Sequence, residues 1–175
     1  MYGNKDRKIS CDYIYGPAGS GKTSSILDIF GRRDVFIASL SSSFPFDGYE
    51  GEKVLLLDDF RSSLPYSELL RILDRYPYRV NIKGSSRYAC WEKIVITSNV
   101  PLAEQYPHIS ESKAPLYRRF EHGIVWEKKS PSCTPPYSSR EEAMLGIRDD
   151  GGPQGVPEWI PEWKQAPENA ESLLA

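Results

Sequence analysis

The 175-residue sequence predicts an α/β protein built on a parallel β-sheet. Short apolar runs of strand length alternate with stretches whose apolar residues recur at helical spacing, which is the pattern of parallel strands joined by helices. A glycine-rich segment follows the first apolar run and leads directly into the first helix. The length and a hydrophobic content of 39% are sufficient for one folded domain followed by a tail.

The glycine-rich segment fits the pattern G-x-x-x-x-G-K-[ST] and comes directly after a predicted strand at residues 11–15. It consists of Gly16, Pro17, Ala18, Gly19, Ser20, Gly21, Lys22 and Thr23. Such a loop presents backbone N–H groups to phosphates, and the helix predicted over residues 22–30 adds the positive end of its dipole. Lys22 can reach the β- and γ-phosphates, and the Thr23 hydroxyl is a suitable Mg²⁺ ligand. The segment therefore predicts a nucleotide-binding site.

Two acidic residues follow a buried strand that is predicted at residues 54–57, after a shorter strand at 35–38 and a loop at 39–51. Ligands of open α/β sheets bind at the carboxyl ends of the strands, and Asp58 and Asp59 are placed at such an end. We expect Asp58 to hold Mg²⁺ and Asp59 to orient an attacking water.

A helix and a hairpin are predicted next. The helix covers residues 63–75, with Ser62 or Ser63 as its cap and Pro65 in its first turn. The hairpin covers residues 78–90, because a short alternation of apolar and polar residues surrounds a glycine-containing turn there.

Polar residues that suit phosphoryl transfer occur again in the last third of the predicted core. Asn99 follows a buried strand, where its amide can hydrogen-bond both a γ-phosphate and the attacking water. Arg118 and Arg119 lie on a short helix, and an arginine can stabilise phosphoryl-transfer charge, also from a neighbouring subunit. The elements predicted here are strands at residues 93–97 and 123–126 and a helix at 113–120.

Charge and cysteine usage exclude some classes of protein. Residues 141–175 carry a net charge of −6, so residues 1–140 carry +4, which permits an anionic partner. Cys11, Cys90 and Cys133 lie far apart without a C-x-x-C pattern, so neither a disulfide framework nor a zinc site is predicted. No apolar run approaches the ~20 residues that span a bilayer, so no membrane partner is expected.

The composition changes at residue 130, where we place the end of a folded domain over residues 1–129. Residues 130–175 are rich in proline and acidic residues, which predicts a mostly disordered tail. The near-repeat at residues 157–163 has two open interpretations, a docking motif for a protein partner or low-complexity sequence without function.

Five segments in this order resemble the superfamily 3 helicase domain of replication-associated (Rep) proteins from circular single-stranded DNA viruses. The resemblance covers residues 8–128. The corresponding motifs are Walker A at residues 16–23, Walker B at 54–59, the B′ hairpin at 78–84, motif C at 96–99 and the arginine segment at 116–120.

The resemblance implies an AAA+-like P-loop ATPase core with strand order 5-1-4-3-2. It also implies a hexameric ring that uses ATP and Mg²⁺ to pull single-stranded DNA through its pore, inside the nucleus or cytoplasm of a host cell. The B′ hairpin of that family lines the pore, which places Lys83 at the tip and Arg79 and Arg87 beside it. Cations at such a tip would bind phosphates without sequence preference.

The sequence departs from this family in one respect and leaves two other functions open. Rep proteins also carry a nickase domain with a His-hydrophobic-His pair. The two histidines here, His108 and His122, lie too far apart in the sequence to form such a pair. We therefore expect no nickase in this chain, which is either a partial or split Rep or a standalone helicase module. The open alternatives are an RNA helicase of the related positive-strand RNA virus type and an assembly ATPase that unwinds nothing.

Overall fold

The structure, a computed structural model, describes residues 5–133, 137 and 139–145. Within this part of the chain, five strands form one parallel sheet: β1 (Ser10–Tyr15), β2 (Val35–Ile37), β3 (Val54–Leu57), β6 (Lys93–Ser98) and β7 (Val125–Glu127). Two further strands of the described residues, β4 (Arg79–Ile82) and β5 (Ser85–Tyr88), pair as an antiparallel hairpin. The α-helices are α1 (Lys22–Phe30), α2 (Tyr66–Ile72), α3 (Ala114–Arg118) and α4 (Arg140–Leu145).

The parallel sheet predicted from the alternation of apolar runs and helices is confirmed. Its strands are ordered β2-β3-β6-β1-β7, so β6 pairs with β1 on one side and with β3 on the other. Counted among these five strands alone, the order from the β7 edge is 5-1-4-3-2. Every residue of β3 and β6 is buried, because both are interior strands with both faces covered.

Two hydrophobic clusters cover the two faces of the sheet. On one face, Ile14 and Val95 pack against Ile26 and Phe30 of α1. The opposite cluster contains residues of α2 and α3 and an aromatic group whose rings contact one another at 5.2–5.7 Å between centroids. That group consists of Phe46, Tyr49 and Trp91.

The helix α2 is shorter than predicted, because it begins at Tyr66 and ends at Ile72 instead of covering residues 63–75. Pro65 is its N-cap residue instead of part of its first turn, and neither predicted serine caps it. The Ser62 hydroxyl donates to Gln105 Oε1 at 2.9 Å, while Ser63 Oγ accepts a hydrogen bond from Arg61 N at 3.1 Å. The tertiary contact with Gln105 thus overrides the local capping preference of serine.

Two further elements are shorter than predicted. α3 ends at Arg118, with Arg119 as its C-cap residue, and β7 begins at Val125 instead of Gly123. A Cβ on Gly123 would lie 1.7 Å from the Cys11 carbonyl oxygen. This glycine therefore serves a close approach between two chain segments, which explains why the strand starts after it.

Packed structure continues beyond Lys129, where the predicted tail begins. α4 packs against α1, and its Ala143 is fully buried in the hydrophobic cluster that also contains Ile26 and Phe30 of α1. The ring of Tyr137 lies 6.4 Å from that of Phe30. These contacts bring the described residues of the predicted tail into the domain. The remainder, including the near-repeat at residues 157–163, lies outside the described residues, so its disorder and its docking motif stay predictions.

The three cysteines are free thiols. Cys11 is buried in the core, and burial raises the pKa of its thiol to about 12. Among the described residues, no helix combines the length and the apolar character that crossing a membrane requires.

A charged pair lies inside the sheet where β1 and β6 meet. Lys93 Nζ is 2.6 Å from Asp12 Oδ2, and both side chains are fully buried. The Asp12 carboxylate also accepts hydrogen bonds from Ile124 N at 2.9 Å and from the Tyr137 hydroxyl, while Lys93 Nζ donates to Ser10 Oγ at 3.0 Å. Such additional bonds are required to offset the desolvation of a buried ion pair. The pair therefore joins two strands to the segments before and after β7.

Lys93→Met is expected to lower the free energy of unfolding by about 3–5 kcal/mol, because the Asp12 carboxylate is left buried without its counter-charge. The double variant Asp12→Asn/Lys93→Met removes both charges and keeps an acceptor for Ile124 N, so it should be more stable than Lys93→Met alone. Urea unfolding followed by circular dichroism measures both differences. Equal stability of the single and double variants would contradict a charged pair in the folded core.

Candidate functional site

The glycine-rich loop connects the end of β1 to the start of α1. Gly21, the N-cap residue of α1, has a φ of 76°, in the left-handed region that favours glycine. Gly16 is required for a different reason, because a Cβ there would lie 2.1 Å from the Lys128 carbonyl oxygen. The loop is thus packed against the segment that follows β7, and this path needs glycine at both positions.

Lys22, the first residue of α1, lies back over the loop. Its Nζ donates hydrogen bonds to the carbonyl oxygens of Gly16 and Pro17, each at 2.9 Å, and to Asn99 Oδ1 at 3.2 Å. Burial lowers the pKa of Lys22, whereas the carboxylates of the two aspartates after β3 act in the opposite direction. The fold therefore brings this lysine together with groups from the ends of β3 and β6.

Asp58 joins three elements through one carboxylate oxygen. Its Oδ1 accepts hydrogen bonds from Thr23 Oγ1 at 2.5 Å and from Thr97 Oγ1 at 2.7 Å. These residues lie after β3, at the start of α1 and near the end of β6. The sequence predicted no role for the Thr97 side chain, although a hydroxyl residue near the end of an apolar strand is the signal that identifies it.

Asp59 has a φ of 50°, a left-handed conformation that is uncommon for a residue with a side chain. Its backbone N–H donates to Thr97 Oγ1 at 3.0 Å, which helps to hold this conformation. Its carboxylate is exposed and lies 3.3 Å from an Arg61 guanidinium nitrogen. Uncommon backbone conformations of this kind are concentrated at functional sites. The carboxylate is therefore presented at the surface of the site, whereas that of Asp58 is engaged with Thr23.

Gln105 is a buried residue of the site that the sequence pattern did not reveal. The two N–H groups of its Nε2 are shared among three oxygens, the Tyr13 hydroxyl at 2.9 Å, Ser98 Oγ at 3.0 Å and the Phe60 carbonyl oxygen at 3.0 Å. Its Oε1 accepts a hydrogen bond from Ser62 N at 2.7 Å. Gln105 thus connects β1, β6 and the segment after β3 through hydrogen bonds. A single glutamine in a predicted loop belongs to no periodic pattern, so only the structure identifies it.

Lys128 is a second buried residue that the sequence did not reveal. Its backbone N–H donates to the Tyr15 carbonyl oxygen at 2.7 Å, which places the lysine beside the loop. Its Nζ donates to the Cys133 carbonyl oxygen and lies 5.9 Å from the centroid of the Trp126 ring. A cavity of about 390 Å³ lies between α1 and this segment and is lined by Gly21 and Lys128 among others. A lysine directly after a strand is ordinarily solvated, so its burial could not be expected.

The two predicted arginines have different environments. Arg119 lies 2.9 Å from Asp74 in an ion pair and donates to the Pro115 carbonyl oxygen at 3.0 Å. Arg118 is exposed, and within the described residues its side chain forms no hydrogen bond or ion pair. In the same part of the chain, neither guanidinium bonds to the phosphate loop. The structure therefore does not bring these arginines to the nucleotide loop of their own chain.

The predicted hairpin is present as β4 and β5, with a two-residue turn between them. Lys83 is exposed in this turn, and its backbone N–H donates to Asp47 Oδ1 at 3.1 Å. Arg79 and Arg87 are both exposed. Arg87 pairs with Val80 across the strands, so it lies on the opposite face of the hairpin from Arg79. The three cations thus surround the hairpin instead of lining one of its faces.

Comparison with known proteins gives the family. A family model described as RNA helicase matches residues 13–100, which is half of the chain. The chain belongs to this family. The matched range contains the phosphate loop, the two aspartates after β3, the hairpin and Asn99.

Curated relatives of this helicase-family chain are viral replication-associated proteins. That of Beak and feather disease virus is 40% identical over 122 residues, which cover 70% of this chain and 40% of the relative. That of Porcine circovirus 1 is 34% identical over 144 residues, which cover 80% of this chain and 45% of the relative. The chain thus spans less than half the length of these relatives.

These matches confirm the resemblance to the superfamily 3 helicase domain of Rep proteins. Among solved structures, that of NtrX from Brucella abortus in complex with ADP is similar, with a TM-score of 0.44 and 17% identity. The match covers 67% of this chain and 32% of the NtrX chain. The family assignment rests on the family model and the sequence relatives.

Proposed function

We propose that this helicase-family chain hydrolyses ATP with Mg²⁺ and uses the free energy of ATP hydrolysis to translocate on single-stranded DNA. This activity would serve the replication of a small circular DNA genome. The observation that carries the proposal is the convergence of Lys22, Thr23, Asp58 and Asn99 at one edge of the sheet. Parallel α/β sheets bind their ligands at this edge. The hairpin with its three cations provides the contact to nucleic acid.

Each residue of the edge has a distinct role in this proposal. The loop N–H groups and Lys22 bind the β- and γ-phosphates, with Lys22 exchanging its two carbonyl contacts for phosphate oxygens. Asn99, whose Oδ1 lies 3.2 Å from Lys22 Nζ, contacts the γ-phosphate and the attacking water. Asp59 orients that water and accepts its proton, since its carboxylate is exposed at the surface of the site.

Thr23 and Asp58 are the residues that fit Mg²⁺. They place a hydroxyl and a carboxylate oxygen 2.5 Å apart, and Mg²⁺ takes oxygen ligands, usually few from protein together with phosphate and water. An ion held by Thr23 and Asp58 would supply positive charge that offsets the charge of the nucleotide phosphates. In the described residues, no cluster of three or more His, Cys, Asp or Glu side chains is arranged to hold a metal, so the Mg²⁺ ligands proposed here are one hydroxyl and one carboxylate.

We propose a hexameric ring in which Arg118 reaches the nucleotide of the neighbouring subunit. Arg118 is exposed, whereas Arg119 is held by Asp74 of its own chain and has a side chain only 21% exposed. A planar guanidinium that stays charged stabilises the charge of phosphoryl transfer. Arg119 is the second candidate for this role, because it is the next residue of the same short segment.

RNA is the second candidate substrate, and the observation that favours it is the name of the matching family model, RNA helicase. Cations on the hairpin bind phosphates, which DNA and RNA share. ATPase rates measured with single-stranded DNA, with RNA and without nucleic acid separate these substrates. Absence of stimulation by either would favour an ATPase that serves assembly alone.

Lys22→Ala is expected to abolish Mg²⁺-dependent ATP hydrolysis while the protein stays folded. Loss of one preorganised charge contact in the transition state costs roughly 3 kcal/mol or more, which is about 150-fold in rate. A coupled ATPase assay measures turnover, and thermal unfolding checks the fold. The exposed Lys8→Ala serves as matched control and should retain wild-type turnover. Wild-type turnover in folded Lys22→Ala would disprove the phosphate-loop assignment.

Asp59→Asn is expected to retain affinity for Mg²⁺-nucleotide and to lose most turnover. The reason is that Thr23 and Asp58 remain for the metal, whereas the attacking water is no longer oriented by a carboxylate. Binding of a fluorescent nucleotide and single-turnover hydrolysis measure the two properties separately. If affinity fell as far as turnover, Asp59 would be a metal ligand and the two aspartates would exchange roles.

Mixing Lys22→Ala with Arg118→Ala protein is expected to recover part of the ATPase activity that each variant lacks alone. In a mixed ring, an intact phosphate loop of one subunit meets an intact arginine of another. ATPase assays at concentrations where light scattering shows co-assembly test this expectation, with an Arg119→Ala mixture run in parallel. No recovery in co-assembled mixtures of either pair would show that these arginines do not act between subunits.

A further inference from the structure

The hairpin has one face that the core does not cover. Val80 is buried and its neighbours in sequence are exposed, so Arg79 and Asn81 lie on the opposite face of β4. On β5, Tyr88 pairs with Arg79 and Ser86 pairs with Asn81. Directly paired residues share a face, so these four side chains form the outer face of the hairpin.

The outer face carries an aromatic ring that is held in place by an arginine. The guanidinium carbon of Arg79 lies 5.5 Å from the centroid of the Tyr88 ring, and its Nη2 donates to Ser86 Oγ at 2.6 Å. Tyr88 is nevertheless 39% exposed. The ring of a large aromatic residue is thus kept partly exposed beside a planar cation.

The charge around this ring favours an anionic partner. Residues 79–88 include Arg79, Lys83 and Arg87 and no carboxylate. The Lys83 backbone N–H does donate to Asp47, but that contact is made at the tip, at the other end of the hairpin from Tyr88. Four residues of strand place the tip about 13 Å from the Arg79–Tyr88 pair.

Tyr76 shows that the pairing of arginine with tyrosine is not sufficient by itself. It is 56% exposed, and the Arg75 guanidinium lies 5.3 Å from its ring centroid. However, Arg75 is also 3.5 Å from Asp6, and Asp74 precedes it in sequence. The cations near Tyr76 are therefore balanced by carboxylates, whereas residues 79–88 carry cations alone, and this difference makes Tyr76 a natural control.

We propose that Tyr88, with Arg79 beside it, is a stacking platform for an unpaired base of single-stranded nucleic acid. The inference rests on the proposed function and adds that the hairpin contacts bases as well as phosphates. Unpaired bases stack on aromatic rings and on guanidinium planes without sequence preference. The inference also changes the role predicted for Arg79, which now supports the Tyr88 ring. Lys83 at the tip keeps its predicted role of contacting phosphate. Bases in a duplex are already stacked and would not bind this platform.

Binding of labelled oligothymidylate, measured by fluorescence anisotropy, tests the platform against an abasic strand of the same length. Tyr88→Ala is expected to weaken binding to oligothymidylate by about 5-fold or more, since stacking on one aromatic residue contributes that much. It should leave binding to the abasic strand unchanged, because no base is present to stack. Tyr88→Phe keeps the ring and should bind as wild type, and Tyr76→Ala should bind both strands normally.

Lys83→Ala provides the contrasting result. It should weaken binding to both strands and reduce the slope of log affinity against log salt by about 0.7, the value for one phosphate contact on a single strand. Tyr88→Ala should leave this slope unchanged. Oligodeoxyuridylate and oligouridylate of equal length then show whether the platform prefers DNA or RNA.

Three results would overturn the platform. The platform is disproved if Tyr88→Ala binds oligothymidylate within twofold of wild type while Lys83→Ala binds it more weakly. That result would leave the proposed function standing. Equal weakening of Tyr88→Ala on both strands would assign Tyr88 a structural role. Wild-type protein that binds neither strand would reject nucleic-acid binding and the platform together. If Tyr88→Ala does not fold, Tyr88→Leu keeps apolar bulk without the ring and replaces it in every comparison.

Discussion

The parallel register of β1 and β3 against β6 is the constraint on which the candidate site depends. Leu57 pairs with Ile96, and Tyr15 pairs with Ser98. Because the three strands run in the same direction, the phosphate loop and the polar residues after β3 and β6 leave the sheet at one edge. A shift of one residue would turn the Thr97 side chain to the other face and remove its hydrogen bond to Asp58.

Polar groups support this edge from within the core. The Tyr13 hydroxyl donates to the Val100 carbonyl oxygen at 2.7 Å and accepts a hydrogen bond from Gln105, while Ser98 Oγ donates to the Phe60 carbonyl oxygen at 2.7 Å. Burial raises the pKa of Tyr13 to about 12, so the phenol keeps its proton and remains a donor. A fully bonded buried network of this kind rigidifies the strand ends, which is how the fold can hold Asp59 in its uncommon conformation.

One continuous segment of the chain joins the hairpin to the sheet edge that carries the candidate nucleotide site. β5 is connected to β6 through Trp91, which is buried in the aromatic group with Phe46 and Tyr49. β6 ends directly before Asn99. The hairpin is attached to the core through the buried Val80 and through a hydrogen bond from Cys90 N to the Tyr49 hydroxyl at 2.8 Å. β6 is therefore the shortest covalent path between the residues proposed to contact ATP and those proposed to contact nucleic acid.

The sequence by itself determined the features whose signals are local: the phosphate loop, the alternation of buried strands and helices, the acids after β3, and the hairpin with its cations. Only the tertiary structure showed that Ser62 bonds to Gln105 instead of capping α2, that Gln105 and Lys128 are buried, and that Arg119 is paired with Asp74. The physical reason is that each of these depends on interactions between residues distant along the chain. Local propensity and periodicity describe how a segment folds, whereas its hydrogen-bond partners are decided by which strands become neighbours.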